Sequence, residues 1–161
     1  MQNPELNLRT FSNVGPSWPD VHKVRLIIFV IDCASINGTY YKKSGKCYKV
    51  YENNTDWDTA RSLCQENGGD LATIGNSDIM QFFMDNIVYP GYTWVGGETK
   101  TWGSGIWSWI DGTPWSYTNW GPGEPVNMTG MGNEADGLEL GNDYYWSSYN
   151  KDYSQSYTCQ Y

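Results

Sequence analysis

W-V-G-G at Trp94 to Gly97, W-S-W-I-D-G-T-P at Trp107 to Pro114, Y-T-N-W at Tyr117 to Trp120 and G-E-P-V-N at Gly123 to Asn127 decide how this chain is read. Beyond Gly91 no helical spacing of apolar residues persists. Trp94, Trp102, Trp107, Trp109, Trp115, Trp120 and Trp146 instead alternate with Gly, Ser and Thr. Alternation of this kind predicts short strands joined by long loops. Tryptophans at such density either form a stacking platform for sugars or bases, or fill a core beneath loops with little regular structure. The second arrangement is the commoner one and is the expectation for most of them.

Working back towards the N-terminus, the pattern turns helical twice. Ser77 and Asp78 open a helix with Ile79, Phe82, Phe83 and Ile87 facing inward, ending before Pro90. Thr55 and Asp58 form a T-x-x-D start signal for an earlier helix. Trp57, Ala60, Leu63 and Cys64 share its inner face, and Gly68-Gly69 stops it. Leu71 to Ile74 is expected to be a short strand. Tyr40-Tyr41 and Cys47 to Tyr51 predict two strands joined by the turn Lys43 to Lys46. Residues 1–20 are polar, with Pro4, Pro16 and Pro19, and predict a linker or loosely packed tail. Val24 to Ile31 predicts one buried strand, able to join this domain's sheet or that of a second copy. We therefore divide the chain into an N-terminal extension, 1–32, and a domain, 33–161.

Composition bounds the function. A chain of 161 residues is long enough for one well-buried core. A net charge of -8 argues against nucleic acid, since no basic cluster is present to displace counterions from phosphates. The longest apolar run, Leu26 to Ile31, falls far short of the roughly 20 residues that cross a bilayer. Cys33, Cys47, Cys64 and Cys159 lack the C-x-x-C spacing of zinc or redox sites, and their even number points to an oxidising compartment outside the cell. Asn37, Asn53 and Asn127 each begin an N-glycosylation acceptor. Enzyme chemistry has little support. The single histidine, His22, lies in the extension, and the pair Glu134 and Asp136 is better explained by loop hydration than as a glycosidase couple.

Taken in order, G-T-Y-Y-K-K-S-G-K-C-Y-K-V-Y, D-W-D-T-A-R-S-L-C, G-G-D-L-A-T-I, W-V-G-G, W-S-W-I-D-G-T-P, Y-T-N-W, G-E-P-V-N and Y-T-C-Q-Y resemble the successive blocks of a C-type lectin-like domain. Each block alone is weak; the ordered series is strong. The resemblance implies an α+β fold of two helices, small antiparallel sheets and a long Trp-rich loop region. It also implies the pairs Cys33–Cys47 and Cys64–Cys159, the latter closing a loop of about 95 residues and contributing roughly 4–5 kcal/mol. The family's inner disulfide is missing: Gly137 and a residue near Lys151 stand at its two ends.

The family holds sugar through a calcium ion, bound by a Glu-Pro-Asn loop, a further Glu, and a Trp-Asn-Asp strand end. Calcium asks for six to eight oxygens, several of them anionic. Here Glu124 and Pro125 match, Val126 replaces the amide, and Asn127 stands one residue late. Ala135 precedes Asp136 where the Glu is expected, with Glu134 adjacent, and Trp146-Ser147-Ser148 replaces Trp-Asn-Asp. The ligand-binding candidates are therefore Glu124, Asn127, Glu134, Asp136, Trp146, Ser147 and Ser148. Glu124, Asn127 and Glu134 are the metal candidates if calcium binds. Glu139 and Asp143 complete an acidic group that either rebuilds a cation site or is a solvated face.

The expectation is a secreted, non-enzymatic recognition module. It would bind a protein or glycan through the long-loop region, without a cofactor and without the family's standard calcium site. Two alternatives stay open: a calcium-dependent carbohydrate-binding lectin, and a structural component of an extracellular matrix or assembly, joined through Val24 to Ile31.

Overall fold

The structure is a computed structural model in which residues 22–23, 32–101, 104–126 and 135–161 are described. The strand expected at 24–31, and any self-assembly through it, lies outside the described residues; 22–23 and 32–35 are helical. The elements that follow are β1 (Thr39–Tyr41), β2 (Lys46–Thr55), α1 (Trp57–Glu66), β3 (Asp70–Leu71), α2 (Ser77–Asn86), β4 (Tyr92–Thr99), β5 (Trp107–Trp109), β6 (Gly137–Gly141), β7 (Trp146–Tyr149) and β8 (Gln155–Gln160). No described helix is long and apolar enough to cross a membrane.

Helix α1 starts one residue later than its T-x-x-D signal suggests. Asp56 is the cap, accepting the Thr59 N–H at 2.9 Å, while Thr55 is still paired with Gln155 as the last residue of β2. An aspartate suits the role, because its charge also complements the helix dipole. That N–H bond holds the Asp56 carboxyl below the usual range. Trp57, Ala60 and Cys64 are buried as the spacing predicts, and the helix ends at Asn67 before Gly68 (φ 82°). In α2 the cap is Asn76, and Met80 joins Phe82 and Phe83 in the core, whereas Ile79 stays partly exposed. The strand expected over Leu71 to Ile74 shortens to Asp70–Leu71, although the Ala72 N–H still reaches Thr158 O.

Two antiparallel groups make up the sheet. One runs β1-β2-β8, with β3 also on β8; the other is β4-β6-β7, with β5 also on β4. A short parallel pairing of β4 with β8, Thr93 to Ser156 and Trp94 to Tyr157, joins them into one sheet. Cys33 is bonded to Cys47 and Cys64 to Cys159, the pairs that the family resemblance implied. The second ties α1 to β8, and no free cysteine remains.

The tryptophans are mostly core. Trp94 and Trp146 are fully buried and Trp107 and Trp109 nearly so, while Trp115 and Trp120 are partly buried against them. Trp146 is the hub, meeting Trp109 edge-on at 5.5 Å and Trp120 at 5.7 Å. These rings supply the apolar mass that the loop between β5 and β6 cannot supply with regular structure. They also fix where that loop meets β7.

Candidate functional site

The loop after Trp120 is pinned to β7 by backbone bonds. Gly121 N–H donates to Trp146 O and Trp146 N–H to Asn119 O, both at 2.9 Å. The Glu124–Pro125 peptide is cis. The backbone bonds to β7 bring the Glu124 carboxylate against Ser148. One carboxylate oxygen of Glu124, Oε2, accepts three hydrogen bonds: from Val126 N–H at 3.0 Å, Ser148 N–H at 2.9 Å and Ser148 Oγ–H at 2.8 Å. The Ser148 hydroxyl also accepts from Val126 N–H at 2.8 Å, so both its donor and an acceptor lone pair are in use. Charge-assisted bonds of this kind are about twice as strong as neutral ones. The two from Ser148, with the Val126 N–H bond to Ser148 Oγ, lock the loop to the strand.

Beside this lock, β6 contributes a buried acid. Glu139 is only 4% exposed and pairs across the sheet with Trp94 and Ser147. Its Oε2 accepts from the Gln155 side-chain amide. Burial pushes its carboxyl up to about 7, and the nearby Glu124 charge adds to the rise. Glu124 and Glu139 line one cavity of about 360 Å3, together with Ser147, Ser148, Tyr149 and Tyr153. A second cavity of about 360 Å3 adjoins it, lined by Tyr92, Glu139, Tyr149, Tyr153, Ser154 and Gln155. From the sequence, Glu139 was only one member of an acidic group. The available signal was its place in G-L-E-L-G, an otherwise apolar strand in which all five residues are buried.

A third cluster occupies the position where the inner disulfide is absent. Lys151 lies against Gly137: a Cβ added at that glycine would stand 2.9 Å from Lys151 Cγ and 3.2 Å from the Trp94 ring. Only a glycine leaves room for the lysine stem. The ammonium then sits 3.9 Å from the Trp57 ring centroid and 2.9 Å from Glu98 Oε2. The backbone of the same residue is held at both ends, its N–H by Asp136 Oδ1 at 3.1 Å and its carbonyl by Trp57 N–H at 2.9 Å.

The candidate residues therefore divide. Glu124, Ser147 and Ser148 meet at one cavity. Trp146 is fully buried, and its ring packs among the tryptophans beneath this loop. Asp136 turns away to cap Lys151. Asp143 accepts from Tyr145 N–H and lines a different cavity beside Met80 and Met84 of α2, so the acidic group does not gather into one site among the described residues. Asn127 and Glu134 lie outside the described residues. Of the glycosylation candidates, Asn37 and Asn53 are exposed, and Asn127 is again outside.

A family model described as the Lectin C-type domain matches residues 52–161. The chain belongs to the C-type lectin domain family. Human versican core protein is 27% identical over 121 residues, covering 75% of this chain but 4% of its own length. The chain thus spans only a small part of that relative. The type-2 ice-structuring protein of Brachyopsis segaliensis is 34% identical over 84 residues, 52% of this chain and 48% of its own. Among solved structures, a calcium-independent type II antifreeze protein superposes with a TM-score of 0.66 at 26% identity, over 77% of this chain and 90% of the other. The calcium ion that C-type lectin membership implies needs oxygen lone pairs aimed at it. Around Glu124 Oε2 the described residues aim two N–H groups and a hydroxyl hydrogen instead. Among the described residues, that oxygen is therefore occupied by hydrogen-bond donors rather than turned to a cation.

Proposed function

We propose that this chain is a non-enzymatic extracellular recognition module that binds a protein or glycan ligand through the face formed by the long loop, β6 and β7, without the calcium ion of its family. The observation that carries the reading is the saturation of Glu124 Oε2 by Val126 and Ser148. An aspartate at position 148 would repel Glu124 unless a cation lay between them. A serine supplies a proton and removes the need for one. The exposed rings of Tyr92, Tyr149 and Tyr153 beside this lock give the face its contact area. The type II antifreeze relative described as calcium-independent supports the view that the fold can dispense with the ion. Extracellular placement is supported by the two disulfides.

The test is a thermal melt in millimolar calcium and in chelator, followed by a glycan array under both conditions. Bound calcium at a hundred times its dissociation constant would add about 2.7 kcal/mol, a shift easily seen. The expected result is superimposable melts, with any glycan or protein ligand bound equally in both buffers. A calcium-dependent rise abolished by Glu124→Gln would instead establish the calcium-dependent lectin.

A further inference from the structure

We propose that the cavity between β6 and the loop from β7 to β8, walled by Tyr92, Tyr149 and Tyr153 and floored by Glu139, binds an organic ammonium group. The inference rests on the preceding reading only in treating this face as a binding face. Three observations carry it. The walls are aromatic and open: Tyr92 is 51% exposed, Tyr149 41% and Tyr153 48%. Tyr149 and Tyr153 meet edge-to-face with centroids 4.8 Å apart, so their contact covers one face of one ring and leaves the other faces free of it. The floor is an acid that is buried yet lines both adjoining cavities.

The second observation is charge without a counter-charge. The ion pairs of the described residues engage Asp78, Asp111, Asp70 and Glu98, and leave Glu139 out. Neither cavity has a lysine or arginine in its lining, and Glu124 adds a second carboxylate. A whole-chain charge of -8 attracts cations to this face from a distance.

The third observation is the chemistry of the walls, which selects the kind of cation. A hard metal ion needs six to eight oxygens, and rings do not provide them. An alkylammonium is satisfied by ring faces and one carboxylate. A neutral sugar would leave the Glu139 carboxylate without a counter-charge, whereas a cation supplies one. The titratable groups facing the floor are Glu124 and the three tyrosines, and burial pushes the carboxyl of Glu139 itself up to about 7. Ammonium binding should therefore weaken as pH falls below about 7.

The experiment is a titration of the whole chain, in chelator throughout, with tetramethylammonium chloride in one arm and n-butylammonium chloride in the other. Tyrosine-ring NMR signals are read against sodium chloride of matched ionic strength. Expected are saturable shifts at pH 8, weakened about tenfold at pH 5.5 and about tenfold in Glu139→Gln. Tyr153→Leu, a change at a half-exposed position, should weaken them too and guards against a folding defect in the acid variant. The preferred arm tells a quaternary head group from a lysine-like primary amine. Shifts that sodium chloride reproduces, that never saturate, or that survive either variant unchanged would overturn the proposal. Because chelator is present throughout, a calcium effect in the earlier melt leaves this outcome untouched.

Discussion

The two halves of the sheet solve the same problem by different chemistry. Around β8, long-range contacts are covalent: Cys64–Cys159 fastens α1 to the last strand, and Cys33–Cys47 fastens the helical residues 32–35 to β2. Around β6 the corresponding fastening is Lys151, wedged against Gly137, paired with Glu98 and lying over Trp57. A disulfide acts mainly by restricting the unfolded chain. A buried ion pair acts only in the folded state, and its worth depends on every partner staying in place. The β6 half also carries the exposed tyrosines and the buried Glu139. Its surface loops are thus held by conditional contacts, and that is the half where a ligand would gain most from preorganised but adjustable contacts.

Breaking the covalent half should have the largest effect. Replacing Cys64 and Cys159 together by Ala should lower stability by about 4–5 kcal/mol, through the 95-residue separation that the bond closes. Denaturant unfolding monitored by tryptophan fluorescence checks this, with little change in the native spectrum of whatever fraction remains folded.

Next in size is the polar clasp. Lys151→Met keeps much of the stem but strands Glu98, whose side chain is 13% exposed. A cost of about 2–3 kcal/mol is expected, of which Glu98→Gln in the same chain should restore a large part. If the single variant were neutral, the clasp would be packing alone and the contrast between the halves would fail.

The smallest effect sharpens the comparison by pH. The folded-state carboxyl of Glu139 lies at about 7, above its ordinary 4.5. Between those values the folded state binds the proton more tightly than the unfolded chain does. Its contribution is therefore most favourable at low pH and is lost as pH rises towards and past about 7. Glu139→Gln should match the parent near pH 4.5 and exceed its stability by about 1–2 kcal/mol at pH 8. Melts at the two pH values provide the comparison.

Much of this was legible in the chain because it rests on local chemistry. Gly68 after a helical face and Trp alternating with small residues each constrain the backbone where they occur. The slip at Thr55 shows the limit: two neighbouring residues were both competent caps, and strand pairing with Gln155 decided between them. The site was less legible. Ser147 and Ser148 announced a changed ligand set, but Ser148 as a donor to Glu124 depends on two segments 24 residues apart meeting at hydrogen-bond distance. Trp146 was a candidate for both core and ligand, and the structure buries it fully.

The sequence by itself determined the family, the two helices, the hairpin before the first of them and the absence of a cysteine at Gly137. Ordered motif blocks and residue types are properties of the chain. Only the tertiary structure decided that Lys151 fills the vacated position, that Glu124 is satisfied by a serine, and that Glu139 faces three tyrosines. Each of these depends on distances between segments remote in sequence, and electrostatic burial arises only when those segments close around a charge.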